Sequence, residues 1–362
     1  MMDEIVAHKD APTVLTDIPR YAAPPAEVEL AALERPRIPA LNVALFLLTM
    51  LTATTAGAYM NGEEVSILHP FLAAAALRSG LSFSLPLMAI LLAHEMGHYL
   101  TARYHGVSTS LPYFIPAPPS LFIFGTFGAF IRMKAMPRTR RVMFDIGAAG
   151  PWAGVLLAIP AIIIGLWFSD VTPLDKSAGG LELGNSLLFL ALSRLALGVD
   201  PTMVNVSLHP IAFAGWIGLL VTSLNLLPVG QLDGGHVIYA LFPRRHRTIS
   251  TLFVVSCVLM VVVPLALGRD LWWGWLLWAV LSITLGLGHP STVDRDTPLN
   301  PRRTVAAWLT VLLFIVTFSP VPLAIEQPEQ VMPRNPDEHT QEIIHHAPHY
   351  QQMLRHLSRA RI

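Results

Sequence analysis

Seven stretches of this chain, at 40–60, 82–103, 143–168, 209–228, 249–268, 271–289 and 304–325, read as apolar runs of about twenty residues, the length that crosses a bilayer. Backbone in hydrocarbon has no water to satisfy its N–H and C=O groups, so such runs must fold as helices that bond internally. The expectation is an all-α polytopic membrane protein with six to seven transmembrane helices. Composition agrees, since 53% of the 362 residues are hydrophobic and only 13% charged. The 24 Lys+Arg balance the 24 Asp+Glu, which leaves no basic surface for nucleic acid and makes the lipid bilayer the expected partner. A single cysteine, Cys257, excludes an intrachain disulfide and a thiolate zinc cluster, so any metal has to be held by histidines and carboxylates. Two shorter pieces, 65–78 and 185–198, are expected to be interfacial or re-entrant.

Charge placement sets the orientation. Arg132, Lys134, Arg138, Arg140 and Arg141 precede the third stretch, and Arg244, Arg245 and Arg247 follow the fourth, whereas the 169–208 connection is acidic. Basic connections stay on the cytoplasmic side, which puts the N-terminus there too. A polar, proline-interrupted segment at 1–39 reads as a flexible cytoplasmic tail, with no signal peptide. A membrane-embedded domain at 40–326 follows, in a plasma or inner membrane. The 327–362 tail carries His339, His345, His346, His349 and His356 and is read as solvated, because the spacing offers no single metal site.

The second stretch ends AILLAHEMGHYLTARYHG, residues 89–106. Ionisable groups in hydrocarbon are costly and mark function by default. His94, Glu95 and His98 form H-E-x-x-H, and on a helix the two histidines lie one turn apart on one face, a chelating arrangement suited to Zn²⁺. Glu95, about 100° round the helix from His94, is placed to reach a bound water. Gly97 keeps the helix thin beside this site. Two structural histidines bonded to neighbouring backbone would leave Glu95 unexplained.

A catalytic zinc site needs a third protein ligand. In SLNLLPVGQLDGGHVIYAL, residues 223–241, Asp233 sits among Pro228, Gly230, Gly234 and Gly235, which break an apolar helix. Broken backbone at membrane depth belongs beside protein or a wet cavity, so Asp233 is the expected third ligand and His236, three residues on, its competitor. Asp145 reads as a helix N-terminal charge favoured by the macrodipole. The segment LPYFIPAPPSLFIFGTFGAFIRM, residues 111–133, has four prolines and cannot be one helix. Its later half favours strand, whose edge could pair with an extended peptide; a re-entrant loop that merely packs is the other reading.

HEMGH at 94–98, FGTFGAFI at 124–131, FDIGAAGPWAG at 144–154 and the set Asn225, Pro228, Asp233 and Gly234 together resemble the site-2 protease family of intramembrane zinc metalloproteases, most of all its compact bacterial and chloroplast egy-type members. The resemblance covers a core at residues 82–242. It implies a three-helix catalytic core and one zinc ion held by His94, His98 and Asp233, with Glu95 as general base. Asn225 is similar to a residue that contacts substrate backbone or steadies the oxyanion. Gly125, Thr126, Phe127 and Gly128 resemble a membrane-dipping hairpin that, with Pro228 nearby, would hold an unwound single-span substrate. The competing classes are a metal transporter, which should carry a polar file across several helices, and a catalytically silent metal-binding scaffold.

Overall fold

A computed structural model describes residues 39–63, 74–174, 180–269, 271–290, 292–294 and 297–326. Both tails and most of the 65–78 piece lie outside them. The helices are α1 (Ala40–Met60), α2 (Ala74–Tyr104), α3 (Arg140–Trp167), α4 (Leu187–Leu197), α5 (Pro210–Asn225), α6 (Asp233–Leu241), α7 (His246–Ala266), α8 (Gly274–Leu285) and α9 (Pro301–Thr317).

Four of them, α1, α2, α3 and α7, are long and apolar enough to cross a membrane. The remaining three expected spans are shorter than the sequence suggests, with 16 residues in α5, 12 in α8 and 17 in α9, and each is cut by local chemistry. Helix α5 stops three residues ahead of Pro228, whose ring disfavours helix in the residue before it. Helix α8 ends at Gly286, with φ of +96°. Helix α9 starts at Pro301 behind Asn300, whose Oδ1 accepts from the Arg303 N–H at 2.9 Å, and stops at Thr317, where Phe318 turns extended two residues ahead of Pro320.

The chain is mostly helical, and three two-stranded antiparallel pairs join the helices, one in the 111–133 segment where a strand was expected and two that the all-α expectation left out. Strand β1 (Tyr113–Pro116) pairs with β2 (Thr126–Phe130), β3 (Asp170–Pro173) with β5 (Val204–Ser207), and β4 (Gly180–Leu183) with β6 (Leu323–Glu326). The last two pairs sit at one end of the helices, where α3 ends, α5 begins and α9 ends.

Helices α2, α3 and α5 pack against one another around Leu87, Ile90, Leu91, Val155, Ala158, Ile162 and Ile217. Small residues permit the closest crossings. A Cβ on Gly57 would lie 2.7 Å from the Gly80 carbonyl, so α1 and α2 touch backbone to backbone. Beside that crossing the Thr54 and Ser84 hydroxyls share a hydrogen bond of 2.8 Å. Leucines point outward instead, Leu156 being 73% and Leu277 67% exposed, the pattern of a surface solvated by lipid rather than water.

The opposite end is joined by ions. Arg303 of α9 donates through Nε and Nη2 to the two carboxylate oxygens of Asp145, at 2.8 and 2.6 Å, and His105 lies 2.9 Å from the same carboxylate. Asp145 is therefore not the first-turn helix charge expected of it. Helix α3 starts at Arg140 with no acid in its first turn, and Asp145 instead ties together the end of α2, the start of α3 and the start of α9.

Candidate metal centre

The chain between α5 and α6 folds back under itself, with Gly230 at φ of +56°. A side chain at Gly234 would overlap the Leu226 carbonyl and one at Gly235 the Gly230 carbonyl. These glycines let α6 begin directly against the end of α5, and its first residue is Asp233. That turn brings Asp233 to the face of α2 carrying His94 and His98.

Their ligand atoms form a nearly equilateral triangle. Nε2 of His98 lies 3.2 Å from Nε2 of His94, and Oδ2 of Asp233 lies 3.3 Å from Nε2 of His94 and 3.2 Å from Nε2 of His98. Four-coordinate zinc with bonds of about 2.0–2.1 Å separates its ligands by about 3.3–3.4 Å, so the triangle has the dimensions of one face of that tetrahedron. Nδ1 of His98 donates to the Ile146 carbonyl at 2.7 Å, which fixes the ring proton there and leaves Nε2 as a lone pair. A lone pair facing a carboxylate oxygen and a second imidazole is satisfied by a cation. His94 and His98 are 3% and 6% exposed, so water does not screen the contact. The donor set fits zinc, and His236 stands outside it: among the described residues the only group of three or more metal-binding side chains with ligand atoms within 4.8 Å of one another is His94, His98 and Asp233.

Glu95, also buried, lies about 100° round the helix from His94 but within electrostatic reach of His94, His98 and Asp233. Its carboxylate accepts from the backbone N–H of Ile131, the residue after β2. Asn225, at the last turn of α5, donates from Nδ2 to Nε2 of His94 at 3.1 Å, so its amide sits at the edge of the metal position.

The other residues singled out from the sequence are placed less directly. Gly125 packs against α1, where a Cβ would come 2.6 Å from Cα of Ala53, and Thr52 donates to its carbonyl at 2.6 Å. The Thr126 hydroxyl donates to the Ile115 carbonyl at 2.9 Å and bridges the β1–β2 pair. Phe127 is half exposed, and Gly128, at φ of +99°, has open space beside it. The hydrogen bonds of these residues run to α1 and within the hairpin, and the segment reaches the centre through Ile131 and Glu95. The Pro228 carbonyl accepts from Ser250 of α7 at 3.2 Å, anchoring the fold-back.

One set of supporting residues escaped the sequence reading. Gly147, Gly150 and Gly154 fall on one face of α3, and a side chain there would meet His236, His98 and His94 respectively. At Gly154 the approach is 3.3 Å to Nδ1 of His94, whereas at Gly150 a Cβ would lie 2.5 Å from Cε1 of His98 and nearer still to Nε2. The three-and-four spacing in FDIGAAGPWAG was the available signal. Gly97 faces the same helix from the other side, where a Cβ would lie 2.6 Å from the Ala149 carbonyl, as its place beside the histidines suggested.

Comparison with known proteins adds a lineage to this geometry. The sequence model of peptidase family M50 matches residues 82–268. The chain is 36% identical over 186 residues to the probable zinc metalloprotease EGY1, chloroplastic, of Arabidopsis thaliana, covering 50% of this chain and 32% of that protein. Its rice counterpart in Oryza sativa subsp. japonica is 37% identical over 186 residues, covering 50% and 30%. The probable zinc metalloprotease EGY2, chloroplastic, of Arabidopsis thaliana is 31% identical over 173 residues, covering 48% and 30%. The aligned part thus spans about a third of each relative's length. No solved structure matches.

Proposed function

The chain belongs to peptidase family M50, and on that footing we propose that it is a zinc-dependent endopeptidase hydrolysing peptide bonds within or next to transmembrane segments of single-span membrane proteins. The observation that carries the proposal is the triangle of His94, His98 and Asp233, whose edges of 3.2–3.3 Å suit tetrahedral zinc. Four helices able to cross a bilayer accord with a substrate held in the membrane.

In this reading His94, His98 and Asp233 hold one zinc ion, which when bound polarises the scissile carbonyl and makes water a nucleophile near neutral pH. Glu95 takes the proton of the attacking water on its carboxylate and returns it to the leaving amine. Asn225 offers its Nδ2–H to the oxygen that gains charge. A helical substrate hides its peptide bonds, so it has to be unwound. The free edge of β2 is the surface for that, adding the substrate as a strand alongside Thr126–Phe130, with Gly125 and Gly128 shaping the strand ends and Pro228 flanking the site. The β1–β2 hairpin would then dip into the membrane. Glu95 is bonded to the residue after β2, so strand addition and proton transfer would meet at neighbouring atoms. The basic flanks favour a site opening to the cytoplasmic side of a plasma or inner membrane, whereas the Arabidopsis and rice relatives are described as chloroplastic.

The test is zinc content and cleavage of a single-span model substrate measured on the same detergent-purified protein. One zinc per chain, lost in Asp233→Ala and kept in His236→Ala, with cleavage abolished by Glu95→Gln, is the expected result. Stoichiometric zinc with no cleavage of any membrane substrate would replace the proposal with a metal-binding scaffold.

A further inference from the structure

Beside the triangle lies a second group of ionisable rings that the proposed hydrolysis does not use. His236 is three residues after Asp233 on α6, on the same helical face, buried, and within electrostatic reach of Asp233 and His98. Its Nδ1 lies 2.7 Å from Nε2 of His289. His289 comes from the connection after α8, beyond the 82–268 stretch that matches the family. Its own Nδ1 lies 2.6 Å from the Pro290 carbonyl.

With both rings neutral, these contacts allow one arrangement of protons. A carbonyl only accepts, so Nδ1 of His289 carries its proton and Nε2 is left as a lone pair. Nδ1 of His236 must then be the donor to that lone pair, and Nε2 of His236 in turn presents a lone pair. The packing holds the ring that sets this pattern. His289 stacks on Tyr239 with centroids 4.2 Å apart and planes at 14°, and His246 meets its edge at 5.5 Å. The Tyr239 hydroxyl accepts from the Thr292 N–H at 3.0 Å, which ties the same connection to α6 a second time. Gly147 leaves the space that His236 fills, since a Cβ there would be 2.7 Å from Cβ of His236.

We propose that His289 is a positioning residue that holds His236 as the Nδ1–H tautomer, so that Nε2 of His236 serves the reaction as a hydrogen-bond acceptor for the peptide N–H or the attacking water at the metal centre. This rests on the protease reading for its chemistry, but the tautomer can be read without substrate. Supporting shells of this kind around metal sites are worth about 10–100-fold in affinity or activity.

The experiment compares His289→Phe, which keeps the ring stacked on Tyr239 but removes the acceptor, with His289→Gln, which restores an acceptor oxygen. Nitrogen NMR of the zinc-loaded, histidine-labelled full chain, with His236 assigned by loss of its signals in His236→Gln, reads the tautomer directly. The expected results are an Nδ1–H His236 in the wild type and a mixed tautomer in His289→Phe. Zinc content should be unchanged, with KM within about twofold, kcat lower by about tenfold in the Phe variant and recovered to within about threefold by Gln. An Nε2–H His236 in the wild type overturns the proposal whether or not either variant folds. So does a His289→Phe enzyme with wild-type kcat, or one that loses its zinc, because the ring would then support the metal rather than His236. A wild type that cleaves nothing defeats the protease reading and leaves the tautomer result to stand or fall by itself.

Discussion

At the scale of single residues the centre depends on what is missing from α3 as much as on what α2 supplies. A methyl at position 150 would occupy the place of the His98 ring, and the ring cannot retreat without giving up its bond to the Ile146 carbonyl. Gly150→Ala is therefore expected to abolish stoichiometric zinc binding, measured by metal analysis of the purified protein. At position 154 the same methyl would lie 3.3 Å from Nδ1 of His94, a tight approach that a ring shift of a few tenths of an ångström relieves, so Gly154→Ala should keep zinc and lose less than about tenfold in kcat, the lower bound for disturbing a ligand's support. Glu95→Gln removes a proton acceptor without touching the triangle. It should keep one zinc per chain while turnover falls by about 10²–10⁴-fold, the usual worth of a general base. His94, Glu95 and His98 were legible in the sequence because helical spacing is local. Asp233 was legible because Gly and Pro announce a broken helix. His289 was not, since only folding brings it beside His236, 53 residues earlier.

Among the elements, the lengths of α5, α8 and α9 depart furthest from the sequence reading. Hydropathy counts apolar residues and is blind to the terminators, Pro228, Gly286 and Pro320, that lie where these helices stop. The strand expected in the later half of 111–133 coincides with β2, but its partner β1 uses the proline-rich half, where Pro112 precedes the strand and Pro116 ends it opposite Thr126. The Asp145–Arg303 pair was misread for a similar reason: the residues are 158 positions apart, so only the helix charge was visible locally. This pair is partly buried, with Asp145 at 18% and Arg303 at 31% exposure, and it carries two charged hydrogen bonds. Arg303→Ala should cost about 1.5–3 kcal/mol of stability, seen as a lower thermal midpoint in detergent, with zinc stoichiometry preserved because none of the ligands lies on α9.

For the molecule as a whole, zinc ought to act as a fastener between α2 and α6. A ligand bound by the folded state alone stabilises it by about 2.7 kcal/mol when present at a hundred times its Kd. Chelation should accordingly lower the thermal midpoint of the wild type and leave Asp233→Ala unmoved, as followed by tryptophan fluorescence. The pairing of β4 with β6 bears on how such a chain is made. Glu182 and Ala324 lie opposite one another across that ladder, and 141 residues separate them in sequence. During synthesis the partner of β4 is thus among the last described residues to emerge, long after every ligand of the triangle. The centre can assemble first and the far end can close only once α9 has been made, so a chain truncated before residue 323 would leave β4 with an unpaired edge.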